Sequence, residues 1–144
     1  MQYNIMHSLH PERGEMTEIL LTLDPKYWEL IKSGQKTIEI QKRTPKIVHM
    51  PFRVIVYLTG SGNVVGKFDC CELVTTIRPQ YLVEGSCMTE QEIIRYSRGR
   101  ALCGWRVKAG SVVEYEIPLP LEFATGLKCP PGSWCYLHKE NENE

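Results

Sequence analysis

The sequence lacks any apolar run long enough to cross a membrane as a helix, for which about 18 residues are needed. The segment Met1–Met16 also lacks the apolar core of a secretory signal peptide. Apolar residues make up 42% of the chain and charged residues 24%, which is ordinary for a globular protein. These features predict a cytoplasmic protein that does not contact a membrane.

Several catalytic signatures are also missing. The sequence contains no phosphate-binding Gly-x-x-x-x-Gly-Lys-Ser/Thr loop, no Gly-x-Ser-x-Gly elbow and no His-Glu-x-x-His metal motif. Its six cysteines form no Cys-x-x-Cys pair, and the spacing of Cys129, Cys135 and His138 matches no standard zinc site. We therefore expect free thiols, no bound metal and no cofactor.

The formal net charge is zero, but the positive charges are clustered. Lys26–Arg53 contains seven basic residues against two acidic ones, and Arg95–Lys108 contains five basic residues and no acidic one. A local positive surface attracts phosphates whatever the net charge. The alternative is that both segments are ordinary solvated surfaces.

Local patterns predict an α+β fold. Strands are expected at 19–23, 36–42, 54–59, 64–76, 113–117 and 134–138, and helices at 25–33 and 89–97. We expect a small, mostly antiparallel barrel or sheet of about five to seven strands, flanked by two or three short helices. The predicted organisation is an N-terminal extension (1–15), one domain (16–139) and an acidic tail (140–144).

The most concentrated group of polar residues follows the first predicted helix, in the segment Ser33–Arg43. A strand starting here places Thr37, Glu39 and Gln41 on one face, with Lys36 at its beginning. A lysine beside a glutamate in a partly dry cleft can hold a phosphate or transfer a proton. The alternative is a half-exposed strand with a surface ion pair.

This segment resembles the signature of the ASCH domain family, Gly-x-Lys-x-x-Glu-x-Arg. Gly34, Lys36 and Glu39 match it, whereas Gln41 replaces the arginine and Arg43 follows two residues later. The order of the predicted elements and the ending Pro130–Tyr136 are also similar to those of ASCH proteins. The resemblance implies a PUA-like β-barrel whose cleft binds RNA or a modified nucleotide, in RNA metabolism or transcription-related regulation.

Two other functions remain open. One branch of the family hydrolyses N4-acylated cytidines with a motif lysine, a threonine and a distant glutamate; Lys36 matches the lysine, but Glu39 stands at the position of the threonine. A small hydrolase acting on RNA or on such a nucleoside would use Lys36 and Glu39 as its catalytic residues. The third function is a protein-interaction module.

Base stacking requires an exposed aromatic ring beside positive charges. Trp105 lies in the second basic segment, and Tyr57 and Tyr96 are expected near the same cleft; the alternative for Trp105 is a core position. The predicted ligand-binding residues are therefore Gly34, Lys36, Thr37, Glu39, Gln41, Arg43, Tyr57, Trp105 and Arg106.

Overall fold

The computed structural model describes residues 16–140, which form seven strands, three α-helices and one short 3₁₀-helix. The strands are β1 (Glu18–Leu23), β2 (Ile38–Gln41), β3 (Phe52–Leu58), β4 (Asn63–Thr76), β5 (Leu102–Val107), β6 (Val113–Pro120) and β7 (Trp134–His138). The helices are α1 (Pro25–Lys32), α2 (Glu90–Ser97) and α3 (Leu121–Thr125), and the 3₁₀-helix is Pro79–Leu82. The predicted extension, 1–15, and residues 141–144 of the predicted tail lie outside the described residues.

The strands form one sheet in the order β2-β5-β4-β3-β1-β7, and β6 also pairs with β4. Strands β1 and β3 are parallel, and the other pairs are antiparallel. Strand β4 is long enough for two strands to share one of its edges: β6 pairs with residues 63–67 and β5 with residues 70–76. The predicted α+β class, strand number and mostly antiparallel pairing are confirmed. The ladders leave β2 and β7 as the two ends, so the sheet is not closed.

The loop after β2 nevertheless contacts β7. The Arg43 Nη2 donates a hydrogen bond to the Trp134 carbonyl at 2.6 Å, and the guanidinium lies 4.0 Å from the centre of the Trp134 ring. The backbone N–H of Lys46 donates to the Tyr136 hydroxyl at 2.8 Å. The sheet is therefore curled, so that the chain leaving one end lies against the other end.

Capping residues set the ends of the two longer helices, α1 and α2, close to the positions predicted from the sequence. The Asp24 carboxylate accepts a hydrogen bond from the Lys26 N–H, Pro25 begins α1, and Gly34 follows its end with a φ of 86°. Helix α2 begins with a capping box, in which the side chains of Thr89 and Glu92 each accept a hydrogen bond from the other's backbone N–H. These caps satisfy amide groups that a helix leaves without partners at its first turn.

The core lies between the concave face of the sheet and α1. Trp28 and Ile31 of α1 pack with residues of several strands, including Phe52, Trp105 and Trp134. A smaller cluster lies beneath α2 and the 3₁₀-helix and contains Ile38, Ile40, Leu82, Ile93 and Leu102. Helix α2 is therefore fixed over strand β2.

Three details differ from the sequence-based predictions. Leu102–Val107 is a strand that was not predicted, because its first four residues are all buried and give no alternating pattern. Strand β2 is shorter than expected and buried on both faces, since α2 covers one face and the core the other. Strand β6 continues through Pro118 to Pro120. These prolines, which cannot donate a backbone hydrogen bond, are tolerated because β6 pairs with β4 alone and is therefore an edge strand.

No helix between residues 16 and 140 combines the length and the hydropathy that a membrane span requires.

Candidate functional site

A pocket of about 180 Å³ opens beside strand β2, between the ends of α1 and α2. It contains polar groups at its base and aromatic rings at its sides. Its lining residues are Tyr27, Lys36, Glu39, Ile40, Gln41, Met88 and Tyr96. Three of the predicted ligand-binding residues, Lys36, Glu39 and Gln41, therefore meet in one cavity.

The Lys36 side chain points inward from the turn that connects α1 to β2. Its backbone N–H donates to the Leu30 carbonyl at 3.0 Å, which fixes the chain directly after the helix. Its Nζ donates to the Ser86 carbonyl at 2.6 Å and lies 4.7 Å from the centre of the Tyr27 ring. Only 2% of Lys36 is exposed, which is rare for a lysine.

The loop before α2 supplies the Ser86 carbonyl, and hydrogen bonds hold that loop against β2. The Gly85 carbonyl accepts from the N–H groups of Thr37 and Ile38, at 2.7 and 3.1 Å. Gly85 has a φ of 82°, and a Cβ there would collide with the Thr37 hydroxyl, so this position requires glycine. The contact of Lys36 with Ser86 thus depends on tertiary structure.

Glu39 and Gln41 share one face of β2, as the period of a strand requires. The Gln41 Nε2 donates to the Glu39 Oε2 at 2.7 Å, and the Glu39 Oε1 lies 3.7 Å from the Lys36 Nζ. Both side chains are 6% exposed. The three residues therefore form a connected polar group at the base of the pocket.

Burial shifts both titratable groups toward their neutral forms. Loss of hydration lowers the pKa of Lys36, against the opposing effect of the Glu39 charge. Loss of hydration likewise raises the pKa of Glu39, against the opposing effects of Lys36 and Gln41. Burial, followed by the Glu39 charge, also raises the pKa of Tyr96. A lysine and a carboxyl shifted in these directions are suited to hydrogen bonding with a ligand or to proton transfer.

The contribution of Lys36 and Glu39 to the free energy of unfolding is expected to have a minimum at intermediate pH. The Glu39 contribution is present below its unfolded pKa and is lost as the pH rises through its raised folded pKa. The Lys36 contribution increases as the pH rises from its lowered folded pKa toward the ordinary 10.5. Urea unfolding of the wild type and of Lys36→Met/Glu39→Gln across this range isolates the contribution as a difference. A maximum near neutral pH would instead indicate an ordinary ion pair and contradict the shifts.

The structure places the other predicted residues outside the pocket lining. Gly34 ends α1, and Thr37 is exposed before β2. Arg43 is engaged with Trp134, as described above. Arg106 pairs with Glu72 at 2.8 Å and is the partner of Ile38 across the ladder, so it lies on the opposite face of the sheet from Glu39.

The predicted aromatic contacts require correction. Trp105 has no exposed surface: its ring lies 5.4 Å from that of Phe52 and 5.7 Å from that of Trp134, so no base can stack on it. Tyr57 is buried in a separate cluster with Leu20, Val64 and Leu121. Both side chains contribute to the core, because their strands are covered on the faces to which they point.

Tyr27, Met88 and Tyr96 form the sides of the pocket instead. The sequence analysis places Tyr96 near the cleft but identifies neither Tyr27 nor Met88 as a site residue. Two exposed lysines lie near these rings: the Lys26 Nζ is 5.0 Å from the centre of the Tyr27 ring, and the Lys42 Nζ is 4.6 Å from that of Tyr96. Aromatic surface and positive charge therefore occur together at the mouth of the pocket.

Among residues 16–140, no group of three or more histidine, cysteine, aspartate or glutamate side chains is arranged to hold a metal ion. The cysteines in this part of the chain are all free thiols, and burial raises the pKa of Cys70 to about 12.

The fold is similar to that of solved ASCH structures. ASCH from Zymomonas mobilis has a TM-score of 0.69 and 22% sequence identity, covering 85% of this chain and 88% of that one. A serine-to-alanine mutant of the same protein has a TM-score of 0.71 and 21% identity, covering 88% and 92%. No protein-family model and no curated protein matches the chain. The resemblance of the sequence to the ASCH family is thus confirmed at the level of the fold: this chain has the fold of an ASCH protein.

Proposed function

We propose that the pocket binds the base of a single nucleotide, either free or within single-stranded RNA. One observation carries this proposal: three hydrogen-bonding side chains, each more than nine-tenths buried, meet in a cavity between two tyrosine rings. Burying Lys36, Glu39 and Gln41 costs hydration, which a folded protein tolerates when those groups have partners. A ligand with several donors and acceptors would complete their hydrogen bonding.

The chemistry of the lining suits a heterocyclic base. The Gln41 amide uses one N–H on Glu39 and retains its oxygen acceptor and a second N–H, while Glu39 offers its other oxygen. Tyr27 and Tyr96 present rings on which a base can stack, a contact worth about 1–3 kcal/mol per base. Lys26 and Lys42, near the same rings, are placed to attract the phosphate.

The lining of the pocket favours a single base. Two tyrosine rings and three buried polar side chains line a volume of about 180 Å³. Bases become accessible one at a time when a strand is unpaired, as in most sequence-specific RNA recognition. The pocket therefore favours free nucleotides and single strands.

Replacing Gln41 with leucine is expected to weaken nucleotide binding at least tenfold. The change removes the amide and leaves the buried polar groups of the ligand and of Glu39 without a partner. Calorimetric titration with the four ribonucleoside monophosphates measures the loss. Arg106→Gln is the control, because Arg106 lies on the opposite face of the sheet and should leave binding unchanged. Equal affinities for all three proteins would exclude this pocket.

The second candidate function is hydrolysis of RNA or of an N4-acylated cytidine, and the shifted pKa values of Lys36 and Glu39 favour it. In this mechanism Lys36 is the proton-transfer group and Glu39 is its partner. Mass analysis of the ligand after each titration tests it. Product that forms with the wild type and is absent with a folded Lys36 variant would assign the enzyme function.

We also infer that the curled sheet corresponds to the PUA-like barrel of the family, with Arg43 and Trp134 joining its ends. A cytoplasmic location, a role in RNA metabolism or transcription-related regulation, and a protein partner stay predictions from the sequence.

A further inference from the structure

The C-terminal end of α2 carries a group of arginines that borders the pocket. Arg95 lies in the last turn, Arg98 caps the helix, and Arg100 follows in a turn whose N–H donates to the Ser97 carbonyl at 2.9 Å. The three side chains belong to exposed residues. We call Arg95, Arg98 and Arg100, together with Lys42, the arginine surface.

The arginine surface is continuous with the pocket through Tyr96. Tyr96 lies in the last turn of α2 and lines the pocket, and the Lys42 Nζ lies 4.6 Å from the centre of its ring. Met88, just before α2, also lines the pocket, so the pocket runs along this helix, and a ligand that leaves it on the Tyr96 side reaches the arginines. The acidic residues of the helix, Glu90 and Glu92, are in its first turn, and the charge of Lys26 acts on Glu92.

These cations form no close ion pair within the described part of the chain, although the Arg95 charge acts on Glu92 one turn earlier in the helix. Among residues 16–140, no carboxylate lies within 4.0 Å of the charged groups of Arg95, Arg98, Arg100 or Lys42, whereas Lys32, Arg53, Lys67 and Arg106 all have such partners. One cation near a helix C-terminus is explained by the helix dipole. The helix dipole does not account for three arginines within six residues.

An exposed aromatic ring lies on the element that packs against α2. The 3₁₀-helix packs against α2, and its Tyr81 is 64% exposed. Arg78 caps the 3₁₀-helix, and its carbonyl accepts from the Tyr81 N–H at 3.1 Å. Cations that alternate with an exposed ring are the usual features of a single-strand binding groove.

We propose, resting on the proposed function, that the arginine surface binds the phosphates of single-stranded RNA next to the nucleotide held in the pocket. Lys42 contacts the phosphate nearest the pocket, Arg95, Arg98 and Arg100 contact those that follow, and a later base stacks on Tyr81. The ligand is then a polynucleotide rather than a free nucleotide.

The test compares two triple variants that each lose three positive charges. One is Arg95→Gln/Arg98→Asn/Arg100→Gln, with asparagine at 98 because Arg98 has a φ of 51°. The other is Lys46→Gln/Lys108→Gln/Lys128→Gln, at exposed positions on three other loops. The probe is a labelled oligouridine of about eight nucleotides, whose anisotropy is measured between about 50 and 200 mM salt.

The arginine variant is expected to reduce the slope of log affinity against log salt by about 2, since each phosphate contact contributes about 0.7 for a single strand. Its affinity for uridine monophosphate should change less than about twofold. The lysine variant should retain the wild-type slope. Tyr81→Leu should weaken oligouridine binding without changing the slope.

Two results would contradict phosphate binding by the arginine surface. One is an equal salt dependence of oligouridine binding for the two triple variants, and the other is a wild type that binds oligouridine no more tightly than the monophosphate. Neither depends on the Gln41 experiment. Gln41→Leu could leave nucleotide binding intact while the arginine variant reduces the salt dependence of oligouridine binding. In that case the pocket proposal is wrong, and phosphate binding by the arginine surface is supported independently of it.

Discussion

Lys36→Met is expected to destabilise the protein by about 3–5 kcal/mol and to abolish nucleotide binding. The change leaves the Glu39 carboxylate, which is 6% exposed, without the cation that faces it at 3.7 Å. It also removes the donor that bonds the Ser86 carbonyl. Urea unfolding near pH 7 and calorimetric titration with nucleotides measure the two effects.

The double variant Lys36→Met/Glu39→Gln separates stability from binding. It removes both charges, so its stability is expected to return to within about 1 kcal/mol of the wild type, because a buried pair contributes little net stability once its desolvation is counted. Binding should remain absent, since the ligand loses its charged partners. A single Lys36→Met variant as stable as the wild type would show that the two groups are not coupled.

Gly66→Ala is expected to destabilise the protein by about 2–3 kcal/mol, the upper part of the range for overpacking. A Cβ at this position would collide with the Val113 carbonyl of β6 and would lie 2.7 Å from the Trp28 ring of α1. Since β4 is hydrogen-bonded on both edges here, backbone movement would disturb two ladders. Thermal or urea unfolding measures the loss.

The matched control is Gly132→Ala. Gly132 has no atom within 4 Å of a built Cβ and no positive φ, so alanine should change the stability by less than about 0.5 kcal/mol. Equal stabilities for the two variants would contradict the close packing of α1 against β4. A loss confined to Gly66→Ala would support the close packing of β4 against β6 and α1 at this position.

The sequence predicted the features that depend on neighbouring residues. The caps of α1 and α2, the glycine after α1 and the β3–β4 hairpin follow from short-range hydrogen bonds and backbone preferences. Gly66 is a feature of this kind that the sequence also marks, as a glycine inside the predicted strand 64–76, and in the structure it lies beside a bulge and at a close approach to other elements. The period of two in a strand placed Glu39 and Gln41 on one face, where they are hydrogen-bonded.

Burial of individual side chains was less predictable. Trp105 is expected at a binding surface because basic residues surround it in sequence, yet it is the ladder partner of Glu39 and points into the aromatic core. Arg106 follows it directly and points to the other side of the sheet. A basic segment that folds into a strand is divided between two faces, so its charge cannot be assigned to one surface before the strand is recognised.

Short-range sequence patterns located most of the helices and strands and placed Lys36, Glu39 and Gln41 in one segment, but they missed the strand Leu102–Val107. The packing of distant segments sets the rest: the burial of these side chains, the hydrogen bond from Lys36 to the Ser86 carbonyl, and the pocket walls formed by Tyr27 and Tyr96. Caps and strand periodicity depend on residues a few positions apart. Desolvation depends on which distant segments cover a side chain, here α2 and the loop before it, and that information lies in the packing of the whole chain.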